Sequence, residues 1–357
     1  MNIFKNYNYL LNIKLYSLEN KNKIFYEIIN SLTKFHYKNC AFYKKILQGL
    51  HYNYNKNINV DKLPFLPIRL FKNYELKSVN QKKVIKILRS SGTTSSNTSK
   101  IFLDKQNSYN QIIVLNKIIK NIIGDTRLPM LIVDKKTSIY KNSEMNARMA
   151  AINGFSIFGK EHTYLLKNDD KIDYFNLKNF LQKYSQSKFL IFGFTHLIYE
   201  NLIKKFRSEK NNLDLRNGII LHGGGWKKLE SQKITNKKFK SLINKKFNIE
   251  KIINYYGLVE QTGSIFIECG QCSRFVTTEF SDIIIRNKVL GICKTNERGT
   301  VQTISLLPTS YPGHNILTED IGEIKGENNC KCGKMGKYFL IHGRIKQAEI
   351  RGCGNVT

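Results

Sequence analysis

Apolar residues recur at helical spacing over positions 21–50. Ile24, Phe25, Ile28, Ile29, Leu32 and Phe35 fall on one face and predict an amphipathic helix. Pro64 and Pro67, in the run LPFLPIRLF, fix the backbone there in an extended crossing. Further on, short apolar runs alternate with longer amphipathic segments: Leu131-Ile132-Val133, Phe189-Leu190-Ile191 and Ile219-Ile220-Leu221. Runs this short fit strands buried on both faces of a parallel sheet between helices. After about residue 265 the texture changes to short β-rich pieces, such as Ser281–Arg286 and Thr300–Leu306, broken by Gly and Cys. The pattern predicts an α/β fold with mixed sheets and a β-rich lobe. The expected segments are a helical region (1–85), an α/β core (86–265), a β-rich lobe with Cys knuckles (266–340) and a tail (341–357).

Composition changes this picture little. Over 357 residues, 41% are hydrophobic and 24% charged, as in an ordinary globular protein. The 58 Lys and Arg against 27 Asp and Glu give a net charge of +31. The lysines are scattered along the whole chain and no nucleic-acid-binding module is recognised, so the charge reads as a solvated basic surface rather than a nucleic-acid footprint. No run of about 20 apolar residues predicts a membrane span. Met1–Tyr16 lacks a signal peptide's continuous apolar core, so a cytoplasmic location is expected.

Several segments carry candidate chemistry. Ser90–Lys100 (SSGTTSSNTSK) surrounds a Gly with small hydroxyl residues, which lets backbone and side-chain donors ring a phosphate. It is not a Walker A sequence. Gly223-Gly224-Gly225 follow the apolar run Ile219–Leu221, and bare backbone at a strand's end admits a flat ring. Asn254–Gly263 (NYYGLVEQTG) offers aromatic rings and Glu260, a carboxylate suited to Mg²⁺. Pro308–Gly313 (PTSYPG) leads to Asp320, and Arg344 follows in a Gly-Arg pair.

Taken together and in this order, these motifs resemble the adenylate-forming superfamily of acyl ligases and adenylation domains. The SSGTTS…SK loop, GGGWK, TSYP followed by DIG, and a final KQ…GC are similar to LuxE-type acyl-protein synthetases, from about Leu63 onward. The resemblance implies a large α/β domain whose 86–265 segment binds the nucleotide, and a small C-terminal domain reduced to a stub over 341–357. It implies that ATP and Mg²⁺ activate a carboxylic acid, most simply a long-chain fatty acid, to an acyl-adenylate with release of pyrophosphate. Ser91, Gly92, Thr93, Thr94 and Ser95 would bind phosphates. Gly223, Gly224, Gly225 and Gly257 would line the nucleotide, with Tyr255 or Tyr256 stacking. Glu260 would hold Mg²⁺, Asp320 the ribose hydroxyls, and Arg344 the ribose or phosphate. Cys353 matches the cysteine such enzymes acylate, and an acyl reductase or transferase protein would receive the acyl group. The alternatives are an acyl-CoA ligase using free CoA and a non-catalytic nucleotide-binding partner protein.

The chain departs from the superfamily pattern in places. Two extra residues precede Lys100, Val259 replaces the usual Thr, and the lysine of the C-terminal domain has no counterpart, since Lys346 sits at the hinge position. Cys269-x-x-Cys272 and Cys330-x-Cys332 form two close pairs beside Gly270 and Gly333. Four thiolates in two knuckles suit a structural Zn²⁺, provided the fold brings the pairs together.

Overall fold

The computed structural model of the chain describes residues 11–12, 15–16, 21–90, 98–136, 147–206 and 213–345. It divides into two compact units, Met1–Ile118 with Gly257–Thr357, and Ile119–Tyr256.

The first unit begins with helices α1 (Lys21–Asn39) and α2 (Ala41–Gly49). Of the periodic face, Phe25, Ile28, Ile29 and Leu32 are buried, while Ile24 and Phe35 lie half-buried at its margins. The single helix expected over 21–50 is two, because Cys40 leaves helical geometry at φ −122°, ψ 107°. β1 (Leu66–Pro67) is the extended crossing. β2 (Val84–Arg89) and β3 (Lys100–Asp104) form an antiparallel hairpin. Helix α3 (Lys105–Ile123) follows directly, its first turn capped by Asp104 Oδ1 accepting from Asn107 N at 2.8 Å.

The second unit alternates strand and helix: β4 (Leu128–Lys135), α4 (Ala147–Ser156), β5 (Gly159–Leu166), α5 (Tyr174–Tyr184), β6 (Phe189–Phe194), α6 (Thr195–Ile198), β7 (Gly218–Gly223), α7 (Asn236–Phe247) and β8 (Lys251–Tyr256). The sheet runs β8-β7-β6-β4-β5 with every pairing parallel. The three apolar runs sit in β4, β6 and β7, which are buried almost throughout. Of their side chains, Leu131, Val133, Phe189, Ile191 and Ile220 join Phe239, Ile243 and Phe247 of α7 and Phe180 of α5 in one core. Each such side chain contributes about 1.5–3 kcal/mol of burial. Thr235 caps α7 at its start, and Asn248, left-handed at φ 57°, ends it.

The chain then returns to the first unit with β9 (Phe266–Glu268), β10 (Phe275–Val276), β11 (Ser281–Arg286), β12 (Gly299–Ser305), β13 (Asn315–Glu327) and β14 (Lys337–Arg344). These are ordered β11-β12-β13-β14-β10-β9, all antiparallel, with β1 parallel to β13.

The units cut across the segments read along the chain. Residues 86–118 fold with the N-terminal helices and the β-rich lobe. Buried polar pairing far apart in sequence joins them: His36 bonds Ser78 Oγ (2.8 Å) and Pro308 O (3.1 Å) and stacks on His314 at 4.9 Å.

Candidate active site

The hydroxyl-rich run connects β2 to β3, which pair with each other. Its root is fixed: Ser90 N donates to Ser99 O (3.2 Å), and Ser99 N donates to Ser90 Oγ (2.9 Å). Ser91, Gly92, Thr93, Thr94 and Ser95 lie outside the described residues. Lys100 makes an exposed ion pair with Glu75 at 3.1 Å.

Glu260 sits in a single 3₁₀ turn, Val259–Gln261, between β8 and β9 and is 5% exposed. The turn is clamped from the loop Pro308–Gly313. Tyr311 Oη donates to Glu260 O at 2.9 Å, and Gln261 Nε2 donates to Gly313 O (2.8 Å) and Thr303 O (3.1 Å). A Cβ at Gly313 would lie 2.2 Å from the Tyr311 ring and 2.8 Å from Glu260 O, so only glycine permits this approach. Burial pushes the Glu260 carboxyl above the ordinary range; Ser99, its own backbone N–H, Arg344 and Lys72 pull the other way without cancelling that. A buried carboxylate short of positive charge is the hard oxygen donor that Mg²⁺ takes, so the residue fits the ion.

Asp320 and Arg344 face each other across β13 and β14, in register, with Arg344 Nε 3.6 Å from Asp320 Oδ1. Asp320 is held back from solvent while Arg344 reaches into it. The residues expected at the ribose and at the phosphate are thus neighbours. Glu319, adjacent, pairs with Arg69.

In the second unit the three glycines differ. A Cβ on Gly223 would lie 2.6 Å from the Tyr255 ring, so this glycine makes room for protein. Gly224 is left-handed at φ +77°, and none of the described residues lies within 4 Å of a Cβ at Gly225. Gly224 and Gly225 are exposed and present the bare backbone. Trp226 turns inward, edge-on to Tyr199 at 4.8 Å, and anchors the turn. Of the two tyrosines, Tyr255 is buried between Phe155 (4.9 Å) and Phe192 (6.4 Å), so its ring faces are taken. Tyr256 is half-buried, and Gly257 beside it is exposed. His222 is buried, Nδ1 2.9 Å from Thr195 Oγ1, and burial pushes its pKa down to about 3, so it is a neutral packing histidine.

The cysteines converge. Cys269 and Cys272 lie in the β9–β10 turn, Cys330 and Cys332 in the β13–β14 turn, and pairing of β10 with β14 sets the two turns side by side. Cys330 Sγ is 3.8 Å from Cys269, 3.4 Å from Cys272 and 3.1 Å from Cys332. These separations are too long for disulfides, and bonds of about 2.3 Å to a tetrahedral Zn²⁺ would space the sulfurs by about 3.8 Å. Burial raises the Cys269 thiol, but backbone N–H groups of Cys272 and Gln271 and the neighbouring thiols outweigh it and bring it to about 7. Cys269, Cys330 and Cys332 form the tight set, their sulfurs all within 4.8 Å of one another, which suits three thiolate bonds to the ion; Cys272 touches Cys330 but stands outside that set and would have to swing in as the fourth donor. Cys353 lies outside the described residues.

The family model for acyl-protein synthetase, LuxE, matches residues 12–357. The chain belongs to the LuxE family. LuxE proteins are ligases, and so is this chain. A relative in Aliivibrio fischeri, a long-chain-fatty-acid–luciferin-component ligase, is 22% identical over 317 residues, covering 87% of this chain and 82% of that protein. Among solved structures, an open 2-hydroxyisobutyryl-CoA ligase in complex with 2-HIB-AMP and CoA superposes with a TM-score of 0.68 at 12% identity, over 91% of this chain and 75% of that one. ATP-bound MatB from Rhodopseudomonas palustris superposes at 0.50, with 12% identity, over 75% of this chain and 49% of that one. The adenylate-forming fold expected of a LuxE protein is therefore the one observed. No helix among the described residues is long and apolar enough to cross a membrane.

Sequence reasoning passed over Asn107, Tyr311 and Gln261. Tyr311 lay within a motif that had been singled out. Asn107 carried no signal, since a carboxamide in a helix reads as surface.

Proposed function

We propose that this LuxE chain activates a fatty carboxylic acid with ATP and passes the acyl group to a thiol, with Cys353 as acceptor. A carboxylate oxygen attacks the α-phosphorus, the bond to the β-phosphate bridging oxygen breaks, and pyrophosphate leaves. The acyl-adenylate is then attacked at its carbonyl carbon by a thiolate; the acyl–oxygen bond breaks and AMP leaves. The observation that carries this reading is the arrangement of Glu260, Asp320 and Arg344. These three sequence-distant groups share one unit, and Arg344 is close enough to bias Glu260's ionisation and to pair with Asp320.

In this reading the chain mainly binds, orients and neutralises charge. Gly224 and Gly225 offer backbone to the adenine, Tyr256 stacks on it, and Asp320 accepts from ribose hydroxyls. Arg344 reaches the phosphate side, and Ser91–Ser95 donate to the β- and γ-phosphates. Glu260 would hold Mg²⁺, which supplies charge neutralisation for the leaving pyrophosphate. Cys269, Cys272, Cys330 and Cys332 would hold Zn²⁺ in a closed structural role, with no position left for chemistry. The fatty acid and the receiving reductase or transferase are inferred from family membership and from the name of the A. fischeri relative.

The test is incubation with ATP, Mg²⁺ and a panel of labelled fatty acids, followed by denaturing gels of wild type and Cys353→Ser. Hydroxylamine-labile label on wild type alone supports the reading. A soluble thioester made only with added CoA moves the assignment to an acyl-CoA ligase. No label and no ATP–pyrophosphate exchange with any acid refutes catalysis.

A further inference from the structure

We infer that Asn107 is a positioning residue for adenylation, coupling the phosphate hairpin to the Glu260 turn through a single side-chain oxygen. This rests on the reading of Glu260 given above.

Asn107 lies three residues beyond β3, on the inner face of α3, and is fully buried. Its Oδ1 accepts from two consecutive backbone amides, Thr309 N at 3.0 Å and Ser310 N at 3.1 Å. Ser310 Oγ sits 2.8 Å from the same oxygen and 2.7 Å from Phe102 O in β3, its one proton serving either acceptor. The next residue along, Tyr311, donates to Glu260 O, and Gly313 O accepts from Gln261. Asn107 is thus the node between the strand leaving the hydroxyl-rich loop and the loop that clamps the carboxylate turn. The Pro308–Gly313 segment has no ladder of its own here; without Asn107 Oδ1 two adjacent buried N–H groups lose their acceptor. On the same helix face, Asn110 and Gln111 are buried where an amphipathic helix would carry apolar residues. Gln111 packs against Gly263, at the far end of the same turn.

The other half of the carboxamide is idle. Asn107 Nδ2 is buried without a hydrogen-bond partner among the described residues. If positioning resides in Oδ1 alone, Asp will replace Asn. Its carboxylate keeps the acceptor, meets three donors and sits in the first turn of a helix, where negative charge is favoured. Leu, of similar size, will not.

The experiment compares wild type, Asn107→Leu, Asn107→Asp and Tyr311→Phe as full chains. It reads amide hydrogen exchange in peptides covering 258–264 and 306–313, and kcat and KM for ATP in pyrophosphate exchange. Asn107→Leu should speed amide exchange in both peptides and lower kcat by about 10-fold or more, while Asn107→Asp stays within about 3-fold of wild type. Tyr311→Phe should loosen 258–264 and leave Thr309 and Ser310 protected. The inference falls if Asn107→Leu loosens only 306–313, or if Asn107→Asp is as impaired as Asn107→Leu. Should Asn107→Leu not fold, Ser310→Ala removes one donor to the same oxygen, and loosening of 258–264 in that variant decides the matter the same way. If Glu260→Gln leaves pyrophosphate exchange at the wild-type rate, the reading of Glu260 fails, while the amide-exchange comparison still decides whether Asn107 couples the two segments.

Discussion

Replacing Cys330 with Ser is predicted to release one Zn²⁺ per chain and to lower the melting temperature by about 8–16 °C. Cys330 is the hub of the cluster, with all three other sulfurs within 3.8 Å of its own. The magnitude follows from chain entropy. The ion links residues 61 apart in sequence, Cys269 and Cys330, and a cross-link closing a loop of that length removes about 4 kcal/mol of unfolded-state freedom. In a unit of roughly 200 residues each kcal/mol moves the transition by about 2–4 °C. The protein should be purified under reducing conditions without added metal and its zinc determined by elemental analysis. Metal release is then titrated with a chromogenic chelator as the thiols are modified. Wild type should carry stoichiometric zinc and melt lower after chelation; Cys330→Ser should carry none and be insensitive to the chelator. Metal-free wild type that melts where Cys330→Ser melts, with or without chelator, would refute the zinc site and leave four packed thiols.

Glu260→Gln should lower pyrophosphate exchange by about 100-fold and leave the melting temperature unchanged or raised, because burial already disfavours the charged form; a fall in stability with activity intact would contradict this. Gly223→Ala should destabilise the fold, since its Cβ would meet the Tyr255 ring at 2.6 Å, whereas Gly225→Ala should leave the melting temperature alone and raise KM for ATP; equal effects on stability would sink the distinction between the two. Burial holds His36 at about 3 in the folded chain, against about 6.5 when unfolded. Below pH 6.5 the unfolded state therefore takes a proton that the folded state refuses. Stability is full above 6.5 and falls toward pH 3, with about 2 kcal/mol lost by pH 5. Urea midpoints at pH 7 and pH 5 that coincide, or a difference unchanged by His36→Gln, would remove His36 as the cause.

Much of the fold was legible because burial writes itself into local pattern. Leu131–Val133, Phe189–Ile191 and Ile219–Leu221 read as buried parallel strands and are so, since a strand covered on both faces has no room for polar alternation. The break at Cys40 was not legible. The apolar spacing continues across it, with Tyr43 and Leu47 buried in α2, and nothing in residue type marks the change of direction. The division into units was hidden for a similar reason: what ties residues 21–39 to 308–314 is a stack of two neutral histidines with Ser78, Thr33 and Tyr43, and such residues read as polar surface along a sequence.

The candidate site shows the same division more sharply. Residue types that chemistry demands were visible one by one: Glu260, Asp320, Arg344 and the four cysteines. Which of them meet was written in strand register. Asp320 and Arg344 face each other because β13 pairs with β14 in that alignment, and the two knuckles close because β10 bridges to β14. A one-residue slip in either pairing would send alternate side chains to the opposite face. The β-bulges between Ile321 and Gly322 and between Ile324 and Gly326 lie in the stretch of β13–β14 between the Asp320–Arg344 pair and the cysteine turn. Each shifts the register locally, so the ladder can set a charge pair at one end and a thiol cluster at the other without a common spacing between them. Tyr255 marks the converse limit. Its place in the NYYG motif made it look like a stacking ring, yet Gly223 admits it into the core, and the exposed backbone begins at Gly224. Glycine runs at strand ends therefore carry two signals, close packing inward and bare backbone outward, which only the neighbours of each Cα separate.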